Sequence, residues 1–334
     1  MKHIKSFLSV LLSLTIVFSV AAVSVSSVGA TTIFTVNDVQ YSIISNYEAH
    51  VYNYVGTEPV VVIPEKIGAR VITAVDSYAF YKNEYVEQVI LPDSVLSIGD
   101  MAFMYCTNLK DVDVSVNLDS IGNYAFVGCT SLSEIDLNCN ISSLSVSMFD
   151  ESGITTFKIP YNVKEIKKNA FRNCNSLTSI RIPDYVTTIN DNVFRNCKNL
   201  ESVEIGSGIT SIPATVFMNC ENLTSVFIPK SVTSIDVTAF TNCPNVTIYG
   251  YKDSYAQQFA EENSINYELI PEHEIGDVDM NGIVNISDAT LVQYYASSIK
   301  ELSDYQLSLA DVNGDGVVNV LDATQIQRIL VDLA

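Results

Sequence analysis

The apolar positions of this chain recur with a fixed step. A phenylalanine stands at Phe80, Phe103, Phe126, Phe149, Phe171, Phe194, Phe217 and Phe240, separated by 23, 23, 23, 22, 23, 23 and 23 residues. With each Phe as position zero, Ala often precedes it, as at Ala79, Ala102, Ala125, Ala170 and Ala239. Val or Leu follows at plus 6 (Val86, Leu109, Leu132), Val or Ile at plus 9 (Val89, Val112, Ile135), and Leu, Val or Ile at plus 11 (Leu91, Val114, Ile182). A second pair falls at plus 15 and plus 18, as in Val95/Ile98 and Val186/Ile189. One unit of 23 residues cannot bury this much apolar surface alone, whereas stacked units can, which predicts a solenoid. The Leu-x-x-Val-x-Ile stretch ends with period two and predicts a short strand. Successive strands then form a parallel sheet about 4.8 Å apart. The Ala-Phe-x-x-Cys stretch predicts a helix-like or turn-like opposite wall. The fourth unit lacks one residue after Phe149, so Ile154, Phe157 and Ile159 fall one step early.

Units such as Ser-Ile-Arg-Ile-Pro (179–183) and Ala-Phe-Arg-Asn-Cys-Asn-Ser-Leu (170–177) resemble leucine-rich repeats of the BspA-like type. The resemblance spans roughly residues 59–250 and implies eight repeats forming an extracellular recognition surface. Solenoids need caps to stay soluble. A β-hairpin cap is expected over 31–58. A second cap is expected over 251–270, with a helix at 254–263 and a strand ending near Ile270.

Six cysteines follow the same step, each three residues after the repeat Phe: Cys106, Cys129, Cys174, Cys197, Cys220 and Cys243. Side chains on neighbouring rungs point in parallel, which is poor disulfide geometry. A ladder of buried thiols, behaving as small hydrophobes, is therefore preferred over a disulfide framework. Cys139 breaks the pattern and falls in the turn after the strand, a position that leaves its exposure open.

The chemistry concentrates at the C terminus. Residues 277–288 read Asp-Val-Asp-Met-Asn-Gly-Ile-Val-Asn-Ile-Ser-Asp, and 311–322 read Asp-Val-Asn-Gly-Asp-Gly-Val-Val-Asn-Val-Leu-Asp. Oxygen-bearing side chains occupy positions 1, 3, 5, 9 and 12, with Gly282 and Gly316 at position 6 where the chain must turn. That is the arrangement of hard oxygen donors around Ca²⁺. The expected ligands are Asp277, Asp279, Asn281, the Ile283 carbonyl and Asp288, with Asn285 acting through water. The second set is Asp311, Asn313, Asp315, the Val317 carbonyl and Asp322, with Asn319 in the indirect place. Position 12 is Asp rather than the Glu of an EF-hand. No helix is expected before either loop, and one is expected after each, at about 288–297 and 322–332.

This duplicated loop–helix unit is similar to type I dockerins over about 275–334. The resemblance implies two Ca²⁺ and a cohesin module on a scaffoldin as partner, hence a place in a cellulosome. The family's contact positions fall here on Ile286, Ser287, Gln293 and Tyr294 in the first copy. In the second they fall on Val320, Leu321, Gln327 and Arg328. These differ from the Ser-Thr pair of the best-known dockerins, which leaves the choice of cohesin open. Tyr294 against Arg328 breaks the twofold match, so one orientation is expected to dominate, anchored by Val320, Leu321 and Arg328.

The fold class is thus α+β: a leucine-rich-repeat solenoid followed by a small all-α module with two calcium loop–helix units. The expected parts are a leader (1–30), an N-terminal β cap (31–58), the repeats (59–250), a C-terminal cap (251–270), a linker (271–276) and the dockerin (277–334). The leader reading rests on Lys2 and Lys5, the apolar run Phe7–Ala22, and small residues at Val28-Gly29-Ala30 or the earlier Val20-Ala21-Ala22. An uncleaved anchor is the alternative, but the run is short for a span, and no other stretch is apolar enough to cross a bilayer. The protein is therefore expected outside the cell, with cellulosome association at the cell surface.

Across 334 residues, 18 Lys and Arg oppose 38 Asp and Glu, a net charge of −20 that disfavours nucleic acid. Only His3, His50 and His273 occur, and Trp is absent. No zinc-hydrolase or Ser/Cys–His motif is present, so the chain is read as a non-enzyme. Asp111, Asp113, Glu134 and Asp136 occupy outward positions on adjacent repeats, followed along the same face by Lys158 and Arg181. This graded face is read as a possible ligand surface for a protein or glycan, in the setting of polysaccharide breakdown. A solvated face is the plainer alternative. An adhesin or regulatory subunit is the main competing function, and a glycoside hydrolase a remote one.

Overall fold

The computed structural model describes residues 24–28, 31–270 and 273–332. The repeat pattern folds into a parallel β-solenoid of about ten turns. Eight turns carry the marker Phe. The flanking turns through Val60–Val62 and Asn266–Leu269 do not, and so extend the repeat beyond its sequence signature. On the first face, Val89 pairs with Val112, and Ile180, Val203, Val226 and Ile248 pair in succession. Between these two ladders, residues 134–136 and 157–159 keep the alternation, with Ile135, Leu137, Phe157 and Ile159 buried, but form no strand. The break coincides with the turn that lost a residue. There Phe157 takes the aliphatic place and packs 5.2 Å from Phe149 and 5.1 Å from Phe171.

The plus 18 positions build a second face of short parallel strands, pairing Val75 with Ile98, Ile98 with Ile121, and Leu144 with Ile166. The repeat phenylalanines form one column inside. Successive centroids lie 4.9–5.7 Å apart with interplanar angles of 3–19°. Each fully buried Phe is worth roughly 1.5–3 kcal/mol of burial. Tyr54 closes the column at one end and Phe259 at the other.

The Ala-Phe-x-x-Cys wall is built of turns rather than helix. Its bends need left-handed backbone on both sides of the Phe, as at Asn169 (φ 61°) and Asn173 (φ 59°), or Asn192 (φ 59°) and Asn196 (φ 62°). Asn tolerates this region better than most residues. Four of these asparagines also bond to one another. Asn242 Nδ2 donates to Asn219 Oδ1 (2.7 Å), Asn219 to Asn196 (2.7 Å), Asn196 to Asn173 (2.8 Å), and Asn173 to Asp150 Oδ1 (2.9 Å). Asp150 is buried, and Arg172 grips its other oxygen through Nε (2.9 Å) and Nη2 (2.6 Å).

All seven cysteines are free and buried. Each of the six in register donates its thiol to the carbonyl of the Phe one turn earlier. Cys106 reaches Phe80 O at 2.9 Å, Cys197 reaches Phe171 O at 3.0 Å, and the others follow suit. The thiols are thus a satisfied ladder, and Asn83 and Ser152 hold the place in the two Phe turns without Cys. Cys139, whose exposure its turn position left open, is only 8% exposed. Its turn folds inward, and the side chain joins the solenoid core.

The N-terminal end is a sheet of more than a hairpin. Strands β1 (Ser24–Val28), β2 (Thr31–Val36), β3 (Val39–Ile43) and β4 (Glu48–Tyr54) pair antiparallel in sequence. β4 then pairs in parallel with Arg70–Val75, joining the cap to the second face. The joint is polar: Asp76 accepts from Ser42 Oγ at 3.0 Å and contacts His50 Nδ1 at 2.8 Å. That contact, with Glu48 nearby, holds the His50 pKa above the usual imidazole range. β1 lies within the stretch read as leader. The rest of that stretch, residues 1–23 and 29–30, lies outside the described residues.

At the other end, helix α1 (Tyr255–Glu262) is capped by Ser254 and buries Ala256, Phe259 and Ala260 against the last turn. Three further helices, α2 (Ile286–Ala296), α3 (Asp304–Ala310) and α4 (Val320–Asp332), enclose a separate small core of Val278, Ala289, Val292, Leu302, Ala310, Ala323 and Ile326. Helix α3 runs directly into Asp311, which corrects the expectation that no helix precedes the second loop. A Ser303/Gln306 capping box starts it. Among the described residues no helix is long and apolar enough to cross a membrane.

Candidate functional site

The two acidic loops are shaped by the same hydrogen bonds, residue for residue. In the first, Asn281 N donates to Asp277 Oδ1 (3.1 Å) and Gly282 N to Asp277 Oδ2 (2.9 Å). In the second, Asp315 N donates to Asp311 Oδ1 (3.1 Å) and Gly316 N to Asp311 Oδ2 (2.9 Å). The loop ends match as well. Asp288 accepts from Asp279 N (2.8 Å) and Asn285 N (2.8 Å), and Asp322 from Asn313 N (3.3 Å) and Asn319 N (2.9 Å). Gly282 (φ 87°) and Gly316 (φ 81°) supply the left-handed bend that lets position 6 fold back over position 1.

Burial follows from this wrapping. Asp277, Asp288 and Asp322 are fully buried although each carries a carboxyl group. Asp277, Asp279 and Asp288 converge, each offering a carboxylate oxygen within 4.8 Å of the others. Like charges this close repel unless a cation joins them, so the donor set fits a hard divalent ion. Asn285 has another duty. It caps α2, accepting from Ser287 N (2.8 Å), while its Nδ2 donates to the Ile283 carbonyl (2.9 Å). Asn319 repeats this toward Leu321 N and the Val317 carbonyl. The side chains at position 9 are therefore turned to the helix start.

The expected partner-contact residues lie at the surface. Ile286 (58%), Val320 (57%) and Leu321 (62%) are apolar and more than half exposed, Tyr294 is exposed, and so are Ser287, Gln293 and Arg328. Gln327 is half-buried. Ile286 and Val320 begin α2 and α4 at matching places in the duplicated unit, which puts the two apolar ends in equivalent surroundings.

On the solenoid, Asp111 and Asp113 lie on one strand of the first face, with Asp111 accepting from Gln88 Nε2 at 2.9 Å. Glu134 and Asp136 hold the same places one turn on, exposed but outside any strand. Lys158 is exposed, and Arg181 lies 3.4 Å from Glu204. The thiols are chemically quiet: burial pushes Cys106 and Cys174 up to about 12 and Cys243 up to about 11.

Two features were not read from the sequence. His273 Nδ1 lies 2.7 Å from Asp277 Oδ2, orienting the first residue of the first loop from outside it. Its backbone N donates to Tyr305 Oη (3.2 Å), and Tyr305 packs edge-on to Tyr251 of the solenoid end at 5.8 Å. The i, i+4 spacing of His273 to Asp277 was the available signal. The Asn173–Asn242 ladder was also visible in principle, because those asparagines recur every 23 residues.

Comparison with known proteins bears on both parts. The family "BspA type Leucine rich repeat region (6 copies)" matches residues 62–175 and 147–259, and "Dockerin type I domain" matches residues 275–331. Among solved structures, a leucine-rich repeat protein of T. pallidum is 24% identical, covering 70% of this chain and 97% of that one, with a TM-score of 0.47. A leucine-rich cell surface protein of Faecalibacterium prausnitzii is 20% identical over 72% of this chain and 98% of that one, TM-score 0.35. A leucine-rich repeat protein of Bacteroides capillosus is 27% identical over 37% of this chain and 96% of that one, TM-score 0.33. No curated protein matches the chain.

Proposed function

The chain belongs to the BspA-type leucine-rich repeat family and carries a C-terminal type I dockerin domain, and from that premise we propose that it is a secreted, non-catalytic subunit of a cellulosome-type assembly. The dockerin attaches it to a scaffoldin cohesin, and the repeats recognise a protein or glycan in the setting of polysaccharide breakdown. The observation that carries this reading is the pair of acidic loops with one shared hydrogen-bond pattern, each leading into a helix that starts on an exposed apolar residue.

Type I dockerins are calcium-binding modules. In this chain we assign one ion to Asp277, Asp279, Asn281, the Ile283 carbonyl and Asp288, and a second to Asp311, Asn313, Asp315, the Val317 carbonyl and Asp322. Asn285 and Asn319 act indirectly, in keeping with their capping bonds. Bound Ca²⁺ supplies charge neutralisation. The residues do the rest: the backbone N–H bonds aim the carboxylates inward, and α2 and α4 hold Ile286, Tyr294, Val320, Leu321 and Arg328 toward solvent. An apolar centre flanked by Arg and Tyr is the composition of an interface hot spot.

Titration of the full chain with a panel of type I cohesins tests the proposal. Capture in Ca²⁺, loss of capture in EDTA, and loss on Val320→Asp with Leu321→Asp are expected. Unchanged affinity in those variants refutes the proposed anchor, and capture in EDTA refutes the calcium requirement.

A further inference from the structure

Charge is unevenly spread along the solenoid. Residues 154–200 carry eight bases and three acids, while 59–153 carry four bases and thirteen acids, and 201–270 two bases and eight acids. A basic band therefore interrupts an acidic rod. Three of its bases are engaged in ion pairs: Arg172 with Asp150, Arg181 with Glu204, and Lys198 with Glu221. Lys158, Lys164, Lys167 and Lys168 take part in none of the ion pairs among the described residues.

Two of these lysines flank a hollow on the second face. Lys164 N donates to Ser142 O (2.9 Å) and Lys167 N to Leu144 O (3.0 Å), so they lie one turn beyond a run of serines. The hollow measures about 260 Å³ and is lined by Asp119, Asn123, Ser142, Ser143, Ser145 and Lys167, among others. That is below the roughly 300–1,000 Å³ of pockets for drug-sized ligands, and of a size for a single ring. Beside it, Lys164 Nζ lies 5.8 Å from the Tyr161 ring centre and 5.5 Å from that of Tyr185. Tyr161 is 76% exposed, and Tyr185 is pinned by donating its hydroxyl to Ile159 O at 2.7 Å.

We propose that this face binds an anionic polysaccharide, a chain of uronic-acid residues. The proposal rests on the reading of the repeats as the recognition part and names their ligand class. Hydroxyl and amide groups lining the hollow suit sugar hydroxyls. Lys164 and Lys167 offer ammonium donors to the carboxylates, the stronger kind of hydrogen bond. The open Tyr161 ring gives a flat surface for the C–H face of a neighbouring sugar. A protein partner fits less well, because interface centres are apolar and aromatic, whereas seven of the ten residues lining this hollow are polar or charged, against Ile121, Ile141 and Gly122. Three carboxylates share the face, one of them Asp100, whose Oδ1 accepts from Asn123 N of the hollow wall at 2.7 Å. Glu165 accepts from Asn190 Nδ2 (2.9 Å), and Asp119 on the hollow wall can accept from sugar hydroxyls. The hollow lies where the acidic turns meet the band, so the charge gradient directs a polyanion over Lys164 and Lys167.

The test is affinity electrophoresis and calorimetry of the full chain in Ca²⁺ at about 0.15 M salt. Polygalacturonate is the probe, with neutral galactan and poly-glutamate as comparisons. Polygalacturonate is expected to bind and galactan not. Lys164→Gln with Lys167→Gln should weaken binding by about tenfold or more, and Tyr161→Ala by about fivefold. Lys198→Gln, outside the face, should change nothing. No binding of polygalacturonate by the unaltered chain overturns the proposal. So does poly-glutamate binding equally well with Tyr161→Ala indifferent, the behaviour of a site for acidic proteins. Cohesin capture is measured on the same samples. Polygalacturonate binding that persists where capture fails supports the glycan site and counts against the assembly reading alone.

Discussion

Asn196 is the sharpest place to test how the turn wall is held. Its backbone is left-handed (φ 62°), its Nδ2 donates to Asn173 Oδ1 at 2.8 Å, and its Oδ1 accepts from Asn219 Nδ2 at 2.7 Å. Removing the side chain forfeits both bonds, at a net cost of about 1 kcal/mol each. Ala then adds the left-handed penalty of a Cβ, about 1–2 kcal/mol. Gly avoids that penalty but loses about 0.5–1 kcal/mol to its freer unfolded chain. The reasoning therefore gives Asn196→Gly a loss of about 2–3 kcal/mol and places Asn196→Ala about 0.5–1 kcal/mol below it. Asn199 supplies the contrast, since its side chain also makes two bonds, to Asn175 O (2.8 Å) and from Asn222 Nδ2 (3.2 Å), but it is not among the left-handed residues. There Ala should be the better replacement. The assay is urea unfolding followed by circular dichroism at saturating Ca²⁺, comparing midpoints at unchanged slope. An Asn196→Ala protein as stable as Asn196→Gly would refute the account.

Three further outcomes follow from named contacts. Iodoacetamide at about pH 8 should leave the native thiols unmodified and label all seven cysteines in urea, as counted by mass, because burial raises their pKa values and the thiols are donated to carbonyls. His50 has a raised pKa in the folded chain, so its bond to Asp76 stabilises fully below the unfolded value of about 6.5 and is lost as pH climbs through the folded value. The stability difference between the native chain and His50→Gln should thus shrink from about pH 5 to about pH 8, as measured by urea midpoints. Export with cleavage after Ala22 keeps β1 in the sheet, whereas cleavage after Ala30 removes it and bares the edge of β2. N-terminal sequencing of the secreted protein should read Val23 first, and Thr31 would contradict this.

The sequence disclosed whatever repeats through side-chain type alone. Phe at position zero, Val or Ile at plus 9 and Cys at plus 3 announced a column, a ladder and a row of thiols. Features set by backbone geometry were harder to read. The left-handed residues at 78, 101, 124, 147, 169, 192 and 215 include Tyr, Met, Ser, Asn and Thr, so no single residue type marks the bend. The strand expected to end near Ile270 is present, but its pairing with Thr247–Gly250 as a further turn of the sheet was not legible, because it contributes no ring to the Phe column. The strand break at 134–136 and 157–159 escaped because the alternation survives there while the ladder does not. The burial of Cys139 was not legible because a turn position says nothing of which way the turn folds. In the C-terminal module, ligand-type residues and spacing were plain, but α3 is only seven residues long and its capping box was overlooked. His273 acts on Asp277 from outside the loop pattern, where a motif cannot reach.

The central claim is that the two acidic loops each hold one calcium ion and that these ions order the cohesin-binding surface. Native mass spectrometry of the full chain in Ca²⁺ measures this most directly. The account predicts two ions per chain, one after Asp277→Ala and one after Asp311→Ala. A chain that carries no ion, or whose count is unchanged by either substitution, would contradict it.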